Sequence, residues 1–140
     1  MSYFTTTEHW HNSALGYYWL TRLKAAGLVD HHGIAKRDQF GRNWVFELKP
    51  TGYRFTNWDG FACGERVRVE AWKSLSAYVE IEGRIQQICG RRRAFSLMFW
   101  NCEHQASEIW NGKEESKQVQ WGIVAMIVIG AFVGISNFKK

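Results

Sequence analysis

Asn101-Cys102-Glu103-His104 places a thiol where covalent acyl chemistry could begin. Asn is a favoured N-cap, and an acid such as Glu103 suits the first turn of a helix. Gly112 follows the last good helical position, where a helix commonly ends. The pattern predicts a short helix of about ten residues with Cys102 in its first turn. Unpaired backbone N–H groups and the helix dipole are expected to pull a thiol pKa down there, and such a cysteine is a nucleophile if a base reaches it. The other reading is a buried structural cysteine. A working site needs a thiolate, a base within about 3 Å, a group orienting that base, and donors for the oxyanion.

The chain has five histidines to supply a base. His31 and His32 begin a strand-like run, and strand alternation points them to opposite faces, so only one can meet Cys102. His9 and His11 lack further ligands nearby, so no metal site is expected. His104 lies on another side of the helix from the thiol and reads as structural. No cofactor motif is present.

The elements that must position these groups are legible in outline. Residues 1–13 are a polar lead-in. Leu15 to Lys24 is aromatic-rich and ambiguous between strand and helix. Ala25-Ala26-Gly27 interrupts it, and His31 to Lys36 resumes. Asp38 to Gly41 is a turn and Asn43 to Lys49 is rich in β-formers, which predicts a hairpin with His31 near its start. Thr51 to Gly64, with Gly52, Asn57, Gly60 and Gly64, reads as loop. Arg66 to Trp72 alternates, with Val67, Val69 and Ala71 inward and Arg66, Arg68 and Glu70 outward. Ser74 to Cys89 has helical spacing at Leu75, Val79, Ile81, Ile85 and Ile88, with Gly90 as its end. Phe95 to Trp100 is a strand-like run leading to the cysteine helix. The class is α+β, a small antiparallel sheet packed on a cysteine-bearing helix.

The last stretch differs in kind. Trp121 to Phe138 holds 18 residues without a charge, ended by Lys139 and Lys140. At about 1.5 Å per residue it spans roughly 27 Å, just short of a bilayer's hydrocarbon core. A helix apolar on every face has little place in so small a domain, which predicts a C-terminal membrane anchor over residues 121–140. Gly130 and Gly134 form a small-xxx-small pair, so a homodimer through this helix is an expected contact. Lysines flank both ends, so orientation is not set by positive charge.

Composition agrees with one domain over residues 14–120. The 140 residues carry a formal charge of +5. That charge suits an anionic partner, whether a membrane surface, a phospholipid headgroup or RNA. Three cysteines give neither an even disulfide framework nor a close-spaced metal pair, which favours a reducing compartment. No charged segment followed by an apolar run opens the chain, so no signal peptide is expected. The initial Met and the terminal lysines suit a free-standing reading frame.

Asn101-Cys102-Glu103-His104, then Ile109 to Gly112 and Ser116-Lys117-Gln118-Val119, resemble the NC box of the lecithin:retinol acyltransferase (LRAT) family. His31-His32-Gly33-Ile34 resembles its H-box. Cellular members include HRAS-like suppressor phospholipases/acyltransferases, and some picornavirus 2A proteins carry the same pair of motifs. The resemblance implies a permuted papain-like, NlpC/P60-like core. It makes Cys102 the nucleophile and His31 the base, with His32 on the neighbouring aromatic position. The family's second histidine, on the next strand, is missing. Aligning Val45 to Pro50 on that strand puts Glu47 in its place, whereas counting without a longer turn gives Asn43. A carboxylate can orient an imidazole. The implied activity is phospholipase A1/A2 or acyl transfer on glycerophospholipids, on a membrane with the domain in the cytoplasm. The alternative is an inactive 2A-like protein binding host proteins, membranes or RNA, the last through Arg37, Arg42, Arg54 and Arg91 to Arg93. Substrate-contacting residues are not legible.

Overall fold

Runs such as Tyr17-Tyr18-Trp19-Leu20 and Trp44-Val45-Phe46 are aromatic and β-branched, and they fold as strands. The computed structural model describes residues 2–4, 10–23, 30–91, 93–96 and 101–137. The strands are β1 (Ser2–Phe4), β2 (Gly16–Arg22), β3 (His31–Arg37), β4 (Trp44–Lys49), β5 (Gly52–Thr56) and β6 (Val67–Lys73). They form one six-stranded sheet in the order β1-β6-β2-β3-β4-β5. Every neighbouring pair is antiparallel. The helices are α1 (Trp58–Ala62), α2 (Tyr78–Arg91), α3 (Cys102–Asn111) and α4 (Lys117–Asn137), with a 3₁₀ turn at Leu75–Ala77. The α+β class holds.

Strand alternation divides the apolar side chains between two faces. Tyr17, Ile34, Phe46 and Leu48 pack with Ile81, Ile85 and Ile88 of α2 and with Cys102, Ala106 and Ile109 of α3. Tyr18, Leu20, Ala35 and Val45 pack on the other face with Trp10, Trp58 and Phe61. Each fully buried large apolar side chain contributes roughly 1.5–3 kcal/mol of transfer free energy, so both faces hold the sheet.

The predicted hairpin forms between β3 and β4, with Gly33 opposite Glu47. The expected loop at 51–64 does not. Its first part is β5, an edge strand on β4, and its second is the short helix α1 capped by Asn57. Of the glycines that suggested a loop, Gly52 (φ +116°) opens β5 and Gly64 (φ +78°) follows α1, while Gly60 lies inside α1. β6 also departs from simple alternation. A bulge between Trp19 and Leu20 puts Val67 and Val69 with the α1-side core and Ala71 with the α2/α3-side core. The helix expected from Ser74 begins only at Tyr78 and runs through Gly90, and Val79 is exposed. The strand expected over Phe95 to Trp100 lies mostly outside the described residues, as do Ala25 to Gly27.

α4 starts at Lys117, inside the stretch expected to belong to the domain. Its apolar residues from Trp121 to Ile129 stand in the open, Trp121 at 72% and Ile127 at 66% exposure. Among the described residues no helix is long and apolar enough to cross a membrane.

Candidate active site

Asn101 decides where the thiol sits. Its extended backbone ends the preceding segment, and its side-chain oxygen accepts from the N–H of Glu103 at 2.9 Å and of His104 at 3.0 Å. His104 answers by accepting from the Asn101 N–H through Nδ1 at 3.4 Å, closing a capping box. His104 is thus a structural residue. Gly112, at φ +74°, ends the helix in the left-handed region that favours glycine.

Cys102 is the first residue of α3 and is 6% exposed. Its thiol donates to the Asp30 carbonyl at 3.8 Å. The sulfur therefore touches the strand backbone just before His31. Here the β3–β4 ladder has not yet begun, since its first pair is Gly33 with Glu47. Burial pushes the thiol pKa up, and the N–H groups of His32, Cys102 and Glu103 only partly oppose it. The thiol pKa is therefore raised rather than lowered as expected at a helix start, with burial the largest cause.

His31 and Glu47 meet on the opposite face. Glu47 is fully buried and bonds His31 Nε2 through one oxygen and Arg54 Nε, at 2.5 Å, through the other. The His31 ring lies 5.6 Å from Phe61. Burial lowers the imidazole pKa, with Glu47 opposing. Burial raises the Glu47 carboxyl, but the bonds from His31 and Arg54 overcome this and hold it below the ordinary range. The pair is a neutral imidazole beside an ionised carboxylate. A carboxylate can only accept, so Nε2 carries the proton and Nδ1 is the basic nitrogen.

The expected trio is therefore assembled only in part. Glu47, not Asn43, orients His31. Among the described residues no hydrogen bond joins Cys102 to His31 or Glu47, because alternation sends the imidazole toward α1 while α3 packs on the other face.

No protein-family model, no curated protein and no solved structure matches the chain.

His32 takes the face that His31 leaves. Its Nδ1 meets Trp19 Nε1 at 3.2 Å and Thr21 Oγ1 at 3.1 Å, and its Nε2 meets Gln118 Nε2 at 3.1 Å. Nδ1 accepts from the Trp19 indole N–H, so the neutral ring carries its proton on Nε2. Burial lowers its pKa, against the nearby carboxylates of Glu103, Glu70 and Asp30. The ring lines a cleft of about 520 Å³ with Trp19, Glu70, Glu103, Trp110 and Lys117.

The arginines offered for RNA form ion pairs and backbone bonds at the surface. Arg54 holds Glu47, Arg42 holds Asp38, and Arg91 and Arg93 hold Glu108 and Glu114. Arg37 donates to the carbonyls of Ser13 and His11. Arg92 lies outside the described residues. Among the described residues no group of three His, Cys, Asp or Glu side chains could hold a metal ion. The sequence reading does not anticipate the contacts of Gln118. Its only signal is membership of the Ser116 to Val119 motif.

Proposed function

We propose that this chain is an LRAT-like thiol phospholipase A1/A2 or acyltransferase with an NlpC/P60-like core, working at the membrane surface on glycerophospholipids. The observation that carries the reading is the buried Glu47–His31 pair, with the Cys102 thiol bonded to the carbonyl of Asp30, the residue before His31. An imidazole, a carboxylate and a helix-start thiol thus occur in the chain order that the resemblance implies, around the start of β3.

The proposed reaction has His31 Nδ1 reach the sulfur through a rearrangement of the first residues of β3, ahead of the β3–β4 ladder, because side-chain rotation alone leaves the imidazole on the α1 face. His31 takes the thiol proton as sulfur attacks the ester carbonyl. The S–C bond forms, the ester C–O bond breaks, and His31 returns the proton to the departing lysophospholipid oxygen. Water, or an amine or hydroxyl acceptor, then gives its proton to His31 and attacks the acyl-thioester, freeing the thiol. Backbone N–H groups at the start of α3 stabilise the oxyanion. In the resting arrangement Glu47 holds the Nε2 proton and so leaves Nδ1 as the basic nitrogen.

The exposed apolar residues of α4 support a membrane-associated chain, since a helix apolar all round is stable only where water is excluded. Anchorage by that helix, dimerisation through Gly130 and Gly134, and a cytoplasmic catalytic domain are parts of the same proposal. A second reading, a catalytically weak or inactive H-box/NC protein that binds host proteins, membranes or RNA, draws on the missing sulfur–imidazole bond. Phospholipid vesicles incubated with the full chain should yield lysophospholipid in a Cys102-dependent manner. Equal release by Cys102→Ser would remove the thiol from the mechanism.

A further inference from the structure

The first turn of α4 reaches back to the nucleophile. Gln118 Oε1 accepts from the Asp30 N–H at 3.1 Å, and its Nε2 approaches the Asp30 carbonyl at 3.5 Å and His32 Nε2 at 3.1 Å. Asp30 supplies the carbonyl that receives the Cys102 thiol. One amide side chain therefore grips the residue that receives the thiol and lies against the ring of His32, two residues along. The link is doubled on the helix side. Glu103, next to Cys102, accepts from Ser116 Oγ at 2.6 Å and from the Gln118 N–H at 3.0 Å.

The orientation of the Gln118 amide is fixed by its partners. Flipping it would set an NH₂ against the Asp30 N–H and an oxygen against the Asp30 carbonyl. In the present orientation the NH₂ has an acceptor in the Asp30 carbonyl, and the amide lies against His32 Nε2 at 3.1 Å.

We propose that Gln118 is a positioning residue that ties the Cys102 thiol to the C-terminal helix, so that displacement of the helix's first turn changes the reactivity of the thiol. Gln118 touches neither sulfur nor substrate in this scheme. It acts through Asp30 and His32. The other groups that bear on the thiol are Glu103 on its own helix and, through His32, Glu70 and Asp30. The inference takes its meaning from the reading of Cys102 as nucleophile. Its test reads thiol chemistry alone, so failure here and failure of the acyl-transfer reading are separable.

The test is the alkylation rate of Cys102 by iodoacetamide against pH, followed by intact mass in the full chain. Cys63 and Cys89, both exposed, are replaced by Ser so that one thiol is read. Gln118→Ala should speed alkylation at neutral pH by about tenfold and move the pH midpoint down by about a unit, since the thiol's bond to the Asp30 carbonyl and its burial are both relaxed. Gln120→Ala, exposed two residues along the same helix, should leave the profile in place. Circular dichroism checks the fold. If the alanine variant does not fold, Gln118→Glu carries the test. It keeps the side chain's length and the bond from the Asp30 N–H while losing both donors, and it too should shift the profile. A folded Gln118 variant whose profile overlays the parent would overturn the proposal.

Discussion

Glu47 carries the largest electrostatic burden of any single residue in the site. It is fully buried and ionised, and it keeps that charge because His31 and Arg54 both donate to it. Glu47→Gln keeps the shape but removes the charge that favours Nε2–H on His31. The amide can present its NH₂ to the ring and select the wrong tautomer. Lysophospholipid release should fall by about 10²–10⁴-fold, the range for losing an oriented base, with vesicle binding unchanged. Unchanged turnover would show that Glu47 only neutralises Arg54. The sequence made Glu47 a candidate through strand alignment. It could not reveal that His31 leaves for the α1 face, which depends on the register of β3 against its neighbours. Nor could it reveal burial of the thiol, which reverses the pKa direction expected at a helix start.

At the scale of elements, α3 was the most legible piece, because Asn101, Glu103 and Gly112 are local signals whose meaning does not depend on tertiary contacts. Asn101→Ala removes the acceptor of two N–H groups and should cost about 0.5–2 kcal/mol. That corresponds to a fall in thermal midpoint of roughly 2–8 °C by circular dichroism. No fall would mean that packing alone holds the helix start. The β3–β4 hairpin was legible for a similar reason, a turn between two alternating runs. β5 and α1 were not, since both are short and bounded by glycines, and an edge strand with exposed Phe55 and Arg54 has little apolar pattern to announce it. The β6 bulge was invisible as well, because one extra residue changes the facing of Ala71 without changing its spacing.

Across the whole molecule, His31, His32 and His104 all have pKa values lowered from 6.5, and burial is the leading cause in each. Unfolded chains therefore take up protons first as pH falls. The stabilisation from keeping these rings neutral is complete above the unfolded pKa and is lost as pH falls below about 6.5. The loss is at most about 1.4 kcal/mol per pH unit for each histidine. The thermal midpoint should be lower at about pH 5.5 than at about pH 7.5, before the carboxylates titrate. A flat or rising midpoint would contradict neutral buried rings.

The same scale holds the central claim, that a strand histidine, its carboxylate and a helix thiol act together on lipid esters at a surface sought by α4. Incubating the purified chain with phospholipid vesicles and reading its intact mass addresses this most directly. The account predicts an acyl adduct on the parent protein that is absent from Cys102→Ser and His31→Ala. A folded, vesicle-bound protein with neither adduct nor lysophospholipid would contradict it.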